Sequence, residues 1–205
     1  MSGVFLSFEG IDGAGKTTQV AFLAKALERR GHKVTWLREP GGTLLGEKIR
    51  SLLLEKTDEA PVPMAELLLF AAARSQLVTN RIRPALKRGE VVILDRFADA
   101  TFAYQGYGRG VPLEQILSIE ALSAGIQPKR TWLLDLTPAE SARRRQERGG
   151  ASDRMESEAD SFRAKVRAGY LERAKTFPDR IRILDASASV DSIASEILTE
   201  ALELI

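Results

Sequence analysis

The stretch FEGIDGAGKTT, residues Phe8 to Thr18, decides the fold. Gly10, Gly15, Lys16 and Thr17 stand at the spacing G-x-x-x-x-G-K-[ST], and the apolar run before them (Val4, Phe5, Leu6, Phe8) reads as a buried strand. Behind it, Val20, Leu23, Ala24 and Leu27 recur at helical spacing until Gly31 ends the run. Strand, glycine-rich loop and helix together define a phosphate loop. Its backbone N–H groups form a concave nest, and the helix beginning near Lys16 adds its positive dipole end. In such a loop Lys16 reaches the β- and γ-phosphates of a nucleotide, the Thr17 hydroxyl is a ligand of Mg²⁺, and Thr18 adds a phosphate contact. The competing reading is a strand-to-helix turn that binds nothing.

The chain has 205 residues, enough for a single domain with a substantial core and no need of disulfides or metal staples. A hydrophobic share of 44% with 28% charged residues is ordinary for a globular protein. No long apolar run or basic-then-apolar leader argues for a membrane span or export, so the expected location is cytoplasmic. The absence of cysteine excludes disulfides, thiol nucleophiles and thiolate metal sites. A net charge of +2 is too mild to imply a nucleic-acid partner unless the charge is clustered.

Short apolar runs at Val4–Glu9, Lys33–Arg38, Val91–Asp95, Thr131–Leu136 and Ile181–Asp185 read as strands, with helical patterns between them. That alternation predicts an α/β fold: a three-layer phosphate-loop architecture with a central parallel five-stranded sheet covered by helices on both faces. No boundary interrupts residues 1–205. The polar, glycine-containing stretch ERGGASDRMESEAD, Glu147 to Asp160, reads as a mobile surface loop between two helices and gives an arginine-bearing lid at about 147–160.

The strand VVILD ends in Asp95, placed to orient Mg²⁺ beside the phosphate loop, and Arg96 follows with a guanidinium suited to clamping phosphate oxygens. A structural ion pair at a strand end is the plainer reading of the two. Arg144 and Arg148 fall four apart on one helix face that runs into the lid, where both can swing onto a nucleotide. Alone, such a run is more often a solvated face; with few aromatics near it, it does not suggest nucleic acid. No N-K-x-D element occurs, which argues against a GTPase switch.

The whole chain resembles the bacterial thymidylate kinases, a nucleoside monophosphate kinase family. The resemblance rests on FEGIDGAGKTTQ, REPGGT from Arg38, IRSLLL from Ile49, LLFAAARSQ from Leu68, DRFADATFAYQGYGRG from Asp95 and LDLTP before the lid, in the family's order. It implies transfer of a phosphoryl group from ATP to dTMP with Mg²⁺, and a homodimer. It also implies roles for particular residues. Phe70 stacks on thymine and Arg74, four residues on, donates to a base carbonyl. Thr101 meets the base edge with Gln105 close behind it, and Tyr104 lies under the deoxyribose. Asp12 belongs with the acceptor's 3′-hydroxyl and with Mg²⁺, Glu39 with the loop near the acceptor, and Arg50 with the same pocket. Arg96 is the acceptor-phosphate clamp. Gly13 and Ala14 stand where some relatives supply a basic residue, so the transition-state arginine is expected from the lid: Arg148, with Arg144 and Arg154 as seconds.

Two positions depart from the family pattern, Ala100 for serine and Phe97 for tyrosine or histidine. Each removes a hydrogen-bonding group near the acceptor. A nucleoside kinase of the same fold remains the nearest alternative; it needs a general base, for which Glu39 is the evident candidate. His32, the only histidine, reads as an exposed turn residue.

Overall fold

The computed structural model describes residues 3–149 and 153–205. Five strands form one sheet in the order β2-β3-β1-β4-β5: β1 (Val4–Glu9), β2 (Val34–Arg38), β3 (Val91–Asp95), β4 (Arg130–Asp135) and β5 (Ile181–Asp185). All four pairings are parallel. β2 begins one residue later than its hydrophobic pattern suggests, and β4 is shifted by one toward its N-terminus. In β4 the ladder to β1 begins at Arg130 opposite Leu6, and pairing rather than side-chain polarity sets that boundary.

Two apolar layers cover the sheet. On one face Leu6, Phe8, Ile93, Trp132 and Leu134 pack with Val20, Leu23, Ala24 and Leu27 of α1 (Lys16–Glu28), Val166 and Tyr170 of α8 (Asp160–Thr176), and Ile193 and Ile197 of α9 (Val190–Leu204). On the other, Phe5, Val92 and Leu94 pack with Leu77 from the end of α3 (Pro63–Leu77), the π-helical Val78 and Ile82, and Ala85 of α4 (Arg83–Lys87). Strands buried on both faces need the near-continuous apolar runs seen in the sequence.

Several helix starts are set by local chemistry. Thr43 caps α2 (Leu44–Leu54) by accepting from Gly46 N, and Thr137 with Pro138 opens α7 (Pro138–Arg148). The short α5 (Ala98–Thr101) runs on through π-helical turns at Phe102–Gly108, which carry Tyr104 and Gln105 into the interior before α6 (Leu113–Ser123). Such turns recur at functional sites.

The segment read as a mobile surface loop is docked where it is described. Met155 belongs to the main core, and Arg154 reaches α2 through its backbone N to Leu54 O (3.0 Å) and its Nε to Leu53 O (2.8 Å). Polar composition hid these anchors, because each depends on a partner about a hundred residues away. Residues 150–152 of the expected lid lie outside the described residues.

Phe8 is fully buried against Trp132, with ring centroids 5.1 Å apart. Phe8→Ala should therefore lower the unfolding free energy by about 3–5 kcal/mol in urea titrations, with an unchanged denaturant slope.

Candidate active site

The phosphate loop joins the buried end of β1 to α1. Gly10, Gly13 and Gly15 all take positive φ (135°, 83° and 89°), and a Cβ on Gly10 would stand 2.4 Å from Leu134 O. Glycine is required there on both counts. The Lys16 ammonium donates to Gly10 O and Ile11 O, each at 3.0 Å, so it spans the loop. Burial and the neighbouring Arg96 guanidinium push its pKa down to about 8. The Thr17 hydroxyl donates to Asp95 Oδ2 at 2.6 Å, joining the start of α1 to the end of β3.

Arg96 follows Asp95 at φ 70°, the only described non-glycine residue with positive φ. Its guanidinium donates to Gly10 O (2.8 Å), Tyr170 Oη (3.0 Å) and Asp12 Oδ1 (2.5 Å) and lies over the Tyr104 ring, 5.0 Å from its centroid. Burial raises the Asp12 carboxyl, but Arg96 and Lys16 outweigh it and hold Asp12 below its ordinary value.

Arg74 is a buried hub. Nε donates to Glu39 Oε2 (2.8 Å), one terminal nitrogen donates to Thr101 Oγ1 (2.9 Å) and Glu120, and the other meets Glu39 Oε2 (2.7 Å) and Phe97 O (3.2 Å). Four of the five N–H groups of the fork thus donate to protein acceptors, and the fork also ion-pairs with Glu39. One cation serves two carboxylates, and burial pushes both Glu39 and Glu120 upward.

These groups border two adjoining cavities. The first is lined by Phe70, Arg74, Thr101, Tyr104 and Gln105, with Asp12, Glu39, Arg50 and Arg96 at its mouth. The second lies over the phosphate loop and includes Gly13, Gly15, Lys16, Thr17, Thr18, Asp95, Arg144 and Arg148. Asp12, Glu39, Arg50 and Arg96 border both.

The thymidylate kinase family model matches residues 8–197. The chain is 45% identical over 203 residues to the thymidylate kinase of Exiguobacterium sibiricum (98% of this chain, 95% of the relative). It is 48% identical to that of Bifidobacterium longum over the whole of both chains. The chain belongs to the thymidylate kinase family. The crystal structure of thymidylate kinase from Ehrlichia chaffeensis superimposes with a TM-score of 0.80 at 33% identity, covering 98% of this chain and 99% of that one. Its fold is therefore shared over nearly the full length.

Several positions expected from the phosphate-loop spacing or from family resemblance sit differently in detail. Gly10 and Ala14 line neither cavity: Gly10 contributes its carbonyl to Lys16 and Arg96, and the Ala14 N–H turns inward to Ile11 O (3.3 Å). Arg154 also lines neither, because its guanidinium is held by Glu66 Oε2 (2.5 Å) and Leu53 O. Arg148 is exposed and pairs with Glu156 at 2.7 Å; Arg144 is tied to Glu140 (3.0 Å) and Ala186 O (2.9 Å). At the departures, Phe97 is buried edge-on against Phe5 and under Arg74, and Ala100 lines the first cavity. His32 is half-buried in its turn and borders neither cavity.

Four buried carboxylates escaped sequence reasoning, one of them Asp99, which pairs with Arg173 and Arg180. Glu66 accepts from Gln105, Arg109 and Arg154; Glu120 holds Arg74; Glu9 accepts from Phe97 N (2.7 Å) and Tyr170 Oη (2.7 Å). Only Glu66 carried a local signal, since it precedes Phe70 by four residues on the same face of α3.

Burial, with Asp99 nearby, pushes the Glu9 carboxyl from 4.5 up to about 7. The folded state then holds an extra proton between those values, so the Glu9 contribution to stability falls as pH rises through that window and is flat above it. Glu9→Gln removes this titration while Glu39 stays in both proteins. Its stability relative to wild type should rise between about pH 5 and pH 8, by up to about 3 kcal/mol, in melts across that range. A constant difference would place the Glu9 titration elsewhere.

Proposed function

We infer that the chain transfers the γ-phosphoryl group of MgATP to dTMP, giving dTDP and ADP, with residues 1–205 working as one kinase unit and the lid at about 147–160. The observation that carries this reading is the pair of cavities meeting at Asp12 and Arg96, one over the phosphate loop and one lined by an aromatic ring and amide and hydroxyl groups. Donor phosphates would sit over Lys16, Thr17 and Thr18; the acceptor base would lie against Phe70, with Thr101, Arg74 and Gln105 along its edge. Tyr104, whose ring supports Arg96, would pack under the sugar.

The acceptor phosphate is already an anion at neutral pH, so the protein needs no general base. Its work is alignment and charge neutralisation. Lys16 exchanges two loop carbonyls for phosphate oxygens. Arg96, already positioned by Gly10 O, Tyr170 and Asp12, draws the acceptor phosphate to the junction of the cavities. Arg148 exchanges Glu156 for the charge developing during transfer, and Arg144 supports it from the same helix. The Thr17 hydroxyl and the Asp95 carboxylate form a hard oxygen donor set suited to Mg²⁺, with Asp12 beside them although Arg96 already engages it. Bound there, the ion supplies neutralisation of phosphate charge.

A cytoplasmic enzyme acting as a homodimer completes the reading; among the described residues no helix is long and apolar enough to cross a membrane. The partner face is the neighbouring helices α2, α3 and α6, which leave Leu52, Leu68 and Leu117 more than half exposed. Leu68→Glu should shift the sedimenting species from the mass of two chains to that of one. A wild-type protein that sediments as one chain would remove the homodimer.

The chemistry is tested by ADP release over a panel of nucleosides and monophosphates. Lys16→Met, which keeps the packing volume of the stem, should lower kcat/KM for dTMP by about a hundredfold or more. Near-normal turnover in that variant would sink the reading.

A further inference from the structure

Gln105 stands at the wall of the acceptor cavity and is 1% exposed, and behind it lies Glu66, which is wholly buried and lines neither cavity. Gln105 Nε2 donates to Glu66 Oε1 at 2.8 Å. The same carboxylate accepts from Arg109 Nε at 3.2 Å on Oε1, and from Arg154 at 2.5 Å on Oε2. Among the described residues the bond to Glu66 is the only protein hydrogen bond of the Gln105 side-chain amide.

The chemistry of this arrangement is asymmetric. An ionised carboxylate only accepts, whereas a primary amide has one donating and one accepting end. Burial raises the Glu66 carboxyl, but Gln105, Arg154 and Arg109 together hold it below its ordinary value, so it is ionised at neutral pH. With Glu66 behind it, the amide cannot turn over without setting its carbonyl against a carboxylate oxygen. The NH₂ is fixed inward and the carbonyl is left for the cavity.

The geometry points to Glu66 as a positioning residue for base selection: by fixing the Gln105 amide, it presents an acceptor to the N3 edge of the pyrimidine. This rests on the dTMP reading above and adds what enforces it. Thymine and uracil carry N3–H, a donor that meets the Gln105 carbonyl. Cytosine carries a bare N3 lone pair there and would need the amide reversed. A free glutamine would reverse and serve either base. Glutamine held by an acceptor-only partner cannot, and discrimination of this kind comes from leaving the wrong base's polar group without a partner.

Glu66→Gln tests this directly, because its own amide can pair with Gln105 in either orientation. In wild type, kcat/KM should favour dTMP over dCMP. In Glu66→Gln that ratio should fall by about tenfold or more, whereas the ratio of dTMP to dUMP should stay as in wild type, since both carry N3–H. A purely structural role would lower all three activities together and leave the dTMP to dCMP ratio unmoved, which would overturn the inference. Glu66→Asp keeps the acceptor-only partner and should retain most of the ratio. If Glu66→Gln does not accumulate as folded protein, a crystal structure of the wild type with dTMP decides. One amide atom of Gln105 should remain at hydrogen-bond distance from Glu66 and the other face N3 of the base; an amide turned away from Glu66 overturns the inference. A wild type active on dTMP with no preference over dCMP also overturns it, while one inactive on dTMP overturns the kinase reading itself and this inference with it.

Discussion

The Arg96 guanidinium is the contact on which the arrangement of the site depends. It sits in an unusual backbone conformation directly after β3 and joins four groups: the Gly10 carbonyl and the Asp12 carboxylate of the phosphate loop, the Tyr170 phenol of α8 and the Tyr104 ring of the π-helical turns. A left-handed backbone costs an arginine roughly 1–2 kcal/mol. Three hydrogen bonds and an aromatic face offset that cost and hold the cation at one point. Tyr170 passes the constraint on to Glu9, whose other oxygen holds Phe97 N. The conformation around Arg96 is therefore tied at both of its neighbours.

Concentrating positive charge among buried strand ends carries a desolvation cost, and the chain meets it by giving each cation a carboxylate or carbonyl partner. Arg74 has Glu39 and Glu120, Arg96 has Asp12, and Lys16 has two loop carbonyls. The result is a site in which Arg74 and Arg96 are held in place beforehand by several partners, whereas the Lys16 ammonium is held by two loop carbonyls alone. It also explains why Arg74, which the family resemblance makes a donor to a base carbonyl, is buried with most of its N–H groups already engaged.

The fold was legible because its signals are local. The glycine spacing, the apolar runs of the strands and the helical period of α1 each lie within a few turns of chain, and the structure moves their limits by no more than one residue in the strands. The partnerships of the site were not local. Glu66 meets Gln105 from 39 residues away, Glu120 meets Arg74 from 46, and Glu9 meets Phe97 N from 88. A glutamate in a helical pattern reads as solvated, and nothing in its neighbourhood announces a buried arginine or amide. The lid stretch misled for the same reason: its charge and glycine content suggested a free surface, yet Arg154 and Met155 are held by residues of distant elements.

Glu66 shows how one buried acceptor links regions that would otherwise be independent. It takes Gln105 on one oxygen and the lid's Arg154 on the other, with Arg109 reaching across both. Arg109 in turn pairs with Glu158 and lies over the Phe162 ring near the start of α8. The wall of the first cavity at Gln105 and the segment around Arg154 thus share a carboxylate that is shielded from water and so from screening. A shift of Arg154 redistributes charge on the same group that Gln105 donates to. Because a buried charge cannot lose a partner without a cost of several kcal/mol, the segment at Arg154 and the cavity wall at Gln105 are constrained to hold together.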